Sequence, residues 1–209
     1  MAVIHQATLS PSKLDLLASW LGRQPWAGSG GELERLGTYR FDDPAGEVGI
    51  EGFLLRRGAE TLHVVLTYRG SPLNGADDWL IGTMKHSVLG TRWVYDGLGD
   101  PVSQDALRRA LRGEQEQAIL EVHDDAGTVV QRLEPEVRVK LVEADGAAGG
   151  TQADVAPTDA RDEDGFDAVG TGDERVLVAR RPSVPGPGPG RRLLLASWTG
   201  GEAVIAALD

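Results

Sequence analysis

The sequence predicts an α+β protein: a curved antiparallel sheet wrapped on an N-terminal helix, with a smaller β lobe towards the C-terminus. Three observations carry this expectation. Two stretches, one from Leu14 and one from Val102, repeat apolar residues at helical spacing behind a capping residue and a proline. Elsewhere, apolar residues alternate in short runs, the period of a strand. The connections between runs are of hairpin length, which favours antiparallel pairing.

Ser10-Pro11 marks the first helix start: a hydroxyl to cap free amides, then a proline where its missing N–H costs nothing. Leu14, Leu17, Ala18 and Leu21 follow as one apolar stripe, which Leu16 and Trp20 widen before Gly22 and Pro25 stop the helix. Trp20 and Trp26 are expected to pack in the core and at a corner. Beyond the glycines at 28, 30 and 31 the period changes. Val48, Ile50 and Leu54 alternate with Glu51 and Phe53, and Leu62, Val64, Leu66 and Tyr68 share one face. Arg57-Gly58-Ala59-Glu60 between them predicts a hairpin. Residues 80–87 and 91–95 predict two more strands, broken by Gly90.

Asp100-Pro101 repeats the capping signal. Val102, Ala106, Leu107, Ala110 and Leu111 form an apolar face, Arg108, Arg109 and Arg112 complement the helix dipole, and Gly113 is the stop. Residues 118–123 and 129–133 predict a second hairpin around Asp124-Asp125-Ala126-Gly127, and Val137, Val139 and Leu141 a further strand. Residues 145–173 contain almost no large apolar side chains. They cannot bury enough surface to offset their ordering entropy, so a flexible acidic loop is expected. Residues 175–180 and 191–198 predict strands joined by an exposed Pro-Gly run at 184–190, and 203–208 a last one. The expected total is two helices and nine or ten strands, arranged as an α+β domain at 1–113 and a β-rich extension at 114–209 packed on it.

Composition excludes several functions. The 209 residues include no cysteine, which removes disulfides and thiolate metal sites. The opening MAVIHQATLSPSK has no basic region ahead of a long apolar run, and no stretch approaches the roughly 20 apolar residues that span a bilayer. A soluble cytoplasmic protein with no membrane partner is expected. The formal charge is −11, but residues 145–174 hold nine Asp and Glu against one Arg, so most of the acidity lies there. Nucleic acid, which needs concentrated Lys and Arg, is not an expected partner.

Few residues offer chemistry. Gly28-Ser29-Gly30-Gly31 is followed by Glu32-Leu33-Glu34, which would repel a phosphate. His5, His63, His86 and His123 lack metal-ligand spacing. His86-Ser87 beside Asp96 or Asp100 could supply a base, a nucleophile and an orienting carboxylate, but is better explained as a strand histidine beside a hydrogen-bonded hydroxyl. Asp42-Asp43, Asp77-Asp78 and Asp124-Asp125 suit turn capping. Residues 159–165 lack the alternating ligands of a calcium loop. No catalytic residue, metal or cofactor is therefore expected. The aromatic residues remain: Tyr68, Trp79, Trp93, Tyr95 and Trp198 can stack on sugar rings or anchor a protein interface. Trp93 and Tyr95 should share a strand face, and Trp79, behind two aspartates, is the one most expected at the surface.

Four segments carry a family resemblance: WLGRQPW at 20–26, LTYRG at 66–70, LIGTMKHSVLGTRWVYDGLGDPV at 80–102 and GRRLLLASWTGGEAVIAAL at 190–208. The first three resemble the N-terminal cap of actinobacterial maltokinases. Together the four are more similar still to stand-alone proteins built from that cap, some of which bear a glucan-branching-protein name. The resemblance implies a cystatin-like sheet around a helix. Maltokinases phosphorylate maltose with lobes that follow the cap. This sequence has no catalytic-loop Asp/Asn pair or metal-binding Asp block of such lobes, so the family's catalytic residues have no positions here. The resemblance thus implies a non-catalytic, cap-like protein whose partner is a protein, a kinase or another enzyme of maltose, trehalose or α-glucan metabolism. The alternative is a small module that binds α-glucans or maltooligosaccharides, a carbohydrate partner, through surface tryptophans.

Overall fold

Strands dominate the computed structural model, which describes residues 2–4, 8–28, 30–123, 129–143, 166–169, 175–182 and 192–208. The first half runs β1 (Ala2–Ile4), β2 (Leu9–Ser10), α1 (Lys13–Leu21), β3 (Leu33–Phe41), β4 (Gly49–Arg57), β5 (Glu60–Arg69), β6 (Leu80–His86) and β7 (Gly90–Asp96). After α2 (Pro101–Arg112) come β8 (Leu120–His123), β9 (Val129–Leu133), β10 (Val137–Glu143), β11 (Phe166–Val169), β12 (Val176–Ala179), β13 (Arg192–Trp198) and β14 (Gly201–Leu208). They form a six-stranded antiparallel sheet, β2-β6-β7-β5-β4-β3, and a five-stranded antiparallel sheet, β10-β13-β14-β12-β11. A third, three-stranded sheet is ordered β1-β8-β9, and its β1–β8 pair is parallel.

β4 and β5 are joined by Gly58 and Ala59, with Gly58 at φ +60°, the conformation a two-residue hairpin requires. Both strands are buried on both faces, which explains their near-continuous apolar sequence. Phe53, Leu55, Leu62, Val64 and Leu66 pack with Leu17, Trp20 and Leu21 of α1. Ile50, Leu54 and Val65 face the other way, against α2 and residues of the five-stranded sheet such as Val178, Leu194 and Ile205. Each fully buried side chain of this size contributes about 1.5–3 kcal/mol relative to exposure. α2 lies between the sheets through Ala106, Leu107, Ala110 and Leu111. Asp100 caps it by accepting from the Val102 amide at 3.0 Å, and Gly113, at φ +77°, ends it. No helix among the described residues is long and apolar enough to cross a membrane.

Several expectations need correction. Ser10 belongs to β2, and the cap of α1 is Ser12, whose hydroxyl accepts from the Asp15 amide while the Asp15 carboxylate accepts from the Ser12 amide. The helix also turns a different face inward: Leu17, Trp20 and Leu21 are buried, whereas Leu14 and Ala18 are exposed, because burying Trp20 removes more apolar surface from water. β3 had no clear alternation in sequence, since its register shifts between Arg35 and Gly37 and flips the inward set. Within the segment expected to be a loop, Phe166–Val169 is a strand, paired with Val176–Ala179 along the edge of the five-stranded sheet. The remainder of that loop at 145–165 and 170–173, the Pro-Gly run at 184–190 and the second hairpin's tip at 124–128 lie outside the described residues.

Candidate functional site

The two large sheets meet along β5. That strand pairs with β7 only through residues 66–69. Upstream, the His63 amide donates instead to the carbonyl of Arg180, just past β12, at 2.9 Å. The His63 ring repeats the link: its Nδ1 lies 3.0 Å from the carbonyl of Ala179. A carbonyl can only accept, so Nδ1 carries the proton and Nε2 accepts from the Tyr39 hydroxyl at 2.9 Å. Burial lowers the His63 pKa to about 4; the Ala179 bond opposes this and the Arg180 charge adds to it.

Arg180 is 3% exposed. Its Nε donates to Asp167 at 2.7 Å, and its Nη2 to Asp96. The guanidinium lies 5.0 Å from the Trp26 ring centroid and 5.9 Å from that of Trp20, two rings that meet edge to face. Burial opposes its charge, but Asp96 and Asp167 outweigh that cost and raise its pKa beyond that of an ordinary arginine. Its Nη1 has no hydrogen-bond partner among the described residues.

Above this buried cation lies a cleft of about 580 Å³ whose lining includes Trp26, Gln24, Asp78, Trp79 and Asp167. Trp79 ends a short 3-10 turn, Asp77–Trp79. It is 36% exposed, yet its indole rests on Gly99 so closely that a Cβ there would stand 2.0 Å from its Cγ. A second hollow, about 710 Å³, lies between residues 115–120 and β10, with Phe41 as its one aromatic lining residue.

Of the five aromatics singled out from sequence, Trp79 alone lines the cleft beside Arg180. Tyr68 is half-buried and donates its hydroxyl to the buried Glu51 at 2.8 Å, where Lys13 also donates at 2.5 Å. Tyr95 is buried, and its hydroxyl accepts from the Leu73 amide at 2.8 Å. Trp93 is half-buried on the same face of β7, opposite Arg69. Trp198 packs against the core between the sheets. The five therefore do not make one surface. Trp20 and Trp26, expected only as packing residues, also wall the cleft, and Arg180 and Asp167 were not singled out at all. Their signal was weak: an arginine directly after the apolar run VLVA, and an aspartate inside a strongly acidic segment.

The side chains of His86-Ser87 close a turn. Ser87 Oγ accepts from the Thr8 amide at 3.0 Å, and His86 Nδ1 from the amides of Val88 and Leu89 at 3.2 and 3.1 Å. The two carboxylates considered with them bind arginines: Asp96 pairs with Arg180, and Asp100 takes Arg69 at 2.7 and 2.6 Å.

Residues 20–100 match the family model of the maltokinase N-terminal cap domain. No curated protein matches the chain. The matched segment supplies Trp20, Gln24, Trp26, Asp78, Trp79 and Asp96 to the cleft, whereas Asp167 and Arg180 come from beyond it. The match runs from the C-terminal turn of α1 to the cap of α2, less than half of the chain, and over those residues the chain is similar to a maltokinase N-terminal cap domain.

Proposed function

We propose that this is a non-catalytic, cytoplasmic cap-type protein that binds or regulates a kinase or another enzyme of maltose, trehalose or α-glucan metabolism. The cap domain at residues 20–100 carries this reading. On it, α1 and the six-stranded sheet correspond to the cystatin-like unit of the cap, and the five-stranded sheet is an extension that covers its second face. The binding roles found for His86, Ser87, Asp96 and Asp100 fit a protein whose polar groups serve the fold. The test is co-purification from native extract, followed by size-exclusion chromatography of the recombinant protein with each recovered enzyme. A stoichiometric complex with a trehalose- or α-glucan-pathway enzyme is expected. Recovery of no such enzyme overturns the reading.

A second reading, an α-glucan or maltooligosaccharide-binding module, is favoured by one observation: Trp79 is exposed at the mouth of a half-open cleft that also holds carboxylates and an arginine.

A further inference from the structure

We propose that the cleft between Trp79 and Arg180 binds one neutral sugar unit, such as the end of a maltooligosaccharide, and discriminates against its phosphate ester. This deepens the second reading above and rests on it; it is independent of any protein partner.

Four observations lead to this ligand class. Trp79 offers an exposed indole fixed in place by Gly99, and a pre-positioned flat aromatic surface matches the C–H-lined face of a pyranose ring. The cleft, at about 580 Å³, lies within the roughly 300–1,000 Å³ usual for small-molecule sites. Around that ring the lining mixes hydroxyl acceptors, Asp78 and Asp167, with an amide, Gln24, which can both donate and accept. Finally, the buried Nη1 of Arg180 lacks an acceptor among the described residues. Buried donors of this kind are normally paired by protein, water or ligand, and a sugar hydroxyl is a suitable acceptor.

Charge narrows the class further. Asp78, Asp96 and Asp167 set three carboxylates against one guanidinium, and that guanidinium already binds two of them. A phosphate would meet a site of net negative charge, because Asp96 and Asp167 already offset the guanidinium and Asp78 adds a third carboxylate. A cationic ligand would find the Trp20 and Trp26 faces already occupied by Arg180. A neutral polyol avoids both conflicts.

The full chain is titrated by calorimetry with glucose, maltose and maltotriose, and then with glucose 1-phosphate and tetramethylammonium. Saturable binding of the neutral sugars at millimolar concentration is expected, with glucose 1-phosphate at least about tenfold weaker than glucose. Trp79→Ala should weaken maltose binding at least about tenfold, and Trp79→Phe, which keeps an aromatic ring packed on Gly99, should retain part of the binding. Asp78→Asn, also at an exposed position, tests the polar side and should weaken it severalfold. No binding of neutral sugar, undiminished binding by Trp79→Ala, or tighter binding of glucose 1-phosphate or tetramethylammonium each overturns the site. Enzyme co-purification that persists when sugar binding fails leaves the partner reading standing and removes this one alone.

Discussion

His63 donates its backbone amide to the carbonyl of Arg180 at 2.9 Å, and its ring to the neighbouring carbonyl of Ala179. Two successive carbonyls, the last of β12 and the next one along the chain, thus accept from the side chain and main chain of one residue in the other sheet. The ring is fixed as the neutral Nδ1–H tautomer, and the guanidinium beside it is held by carboxylates from both sides of the junction.

This histidine makes the junction sensitive to acid. Its folded pKa, about 4, lies below the unfolded value near 6.5, so the fold favours the neutral form. Its stabilising contribution is fully present above pH 6.5 and is lost as the pH falls towards 4. The shift corresponds to about 3 kcal/mol at the acid limit. Urea denaturation of the wild type and His63→Asn at several pH values should show a stability gap that narrows by about that amount between pH 7 and pH 4. A gap that stays constant with pH would refute the assignment.

Arg180→Met should cost about 3–5 kcal/mol, because it strands the buried Asp96 carboxylate and leaves Asp167 without its cation. Arg180→Lys should recover only part of this. One ammonium cannot copy the planar fork that spans two carboxylates while stacking on Trp26. Adding Asp96→Asn to the Met variant removes the stranded charge and should restore a large share of the loss. The quantity to measure is the coupling energy in a double-mutant cycle, and purely additive effects would contradict the arrangement.

Gly52 faces Tyr39 across the β3–β4 pair, and a Cβ at Gly52 would stand 2.1 Å from the Tyr39 ring. Tyr39 is 2% exposed and its hydroxyl serves His63, so the ring cannot move aside freely. Gly52→Ala should destabilise by about 1–3 kcal/mol. Gly22→Ala, at φ −61° with its nearest neighbour at 3.4 Å, should be neutral or slightly stabilising. Equal urea midpoints for the two variants would count against this packing.

Local signals were legible where one element settles its own fate. The Asp100 cap, the apolar face of α2 and the Gly113 stop were all readable, as was the hairpin at Gly58. The exposure of Trp79 followed from the aspartates before it. β3 was hidden by its register shift, and the buried face of α1 by an apolar pattern that runs round much of the helix and includes both Leu14 and Trp20. The cleft was illegible for a different reason. Its parts come from residues 20–26, 78–79, 96, 167 and 180, and no periodicity connects them. An arginine after an apolar strand reveals neither the tryptophans it stacks on nor the aspartates that hold it.

The two-sided burial of β4 and β5 separates what is recognisable in this chain from what can stand in water. The segment that matches the cap-domain model ends at Asp100, yet Ile50, Leu54 and Val65 are covered by α2 and the five-stranded sheet, which begin after that residue. Cut at that boundary, the segment would present a bare apolar wall and an unclaimed His63 amide to solvent. In this chain residues 20–100 are therefore a half-closed shell. Here α2 and the five-stranded sheet form the lid, and the lid also delivers the arginine that finishes the cleft.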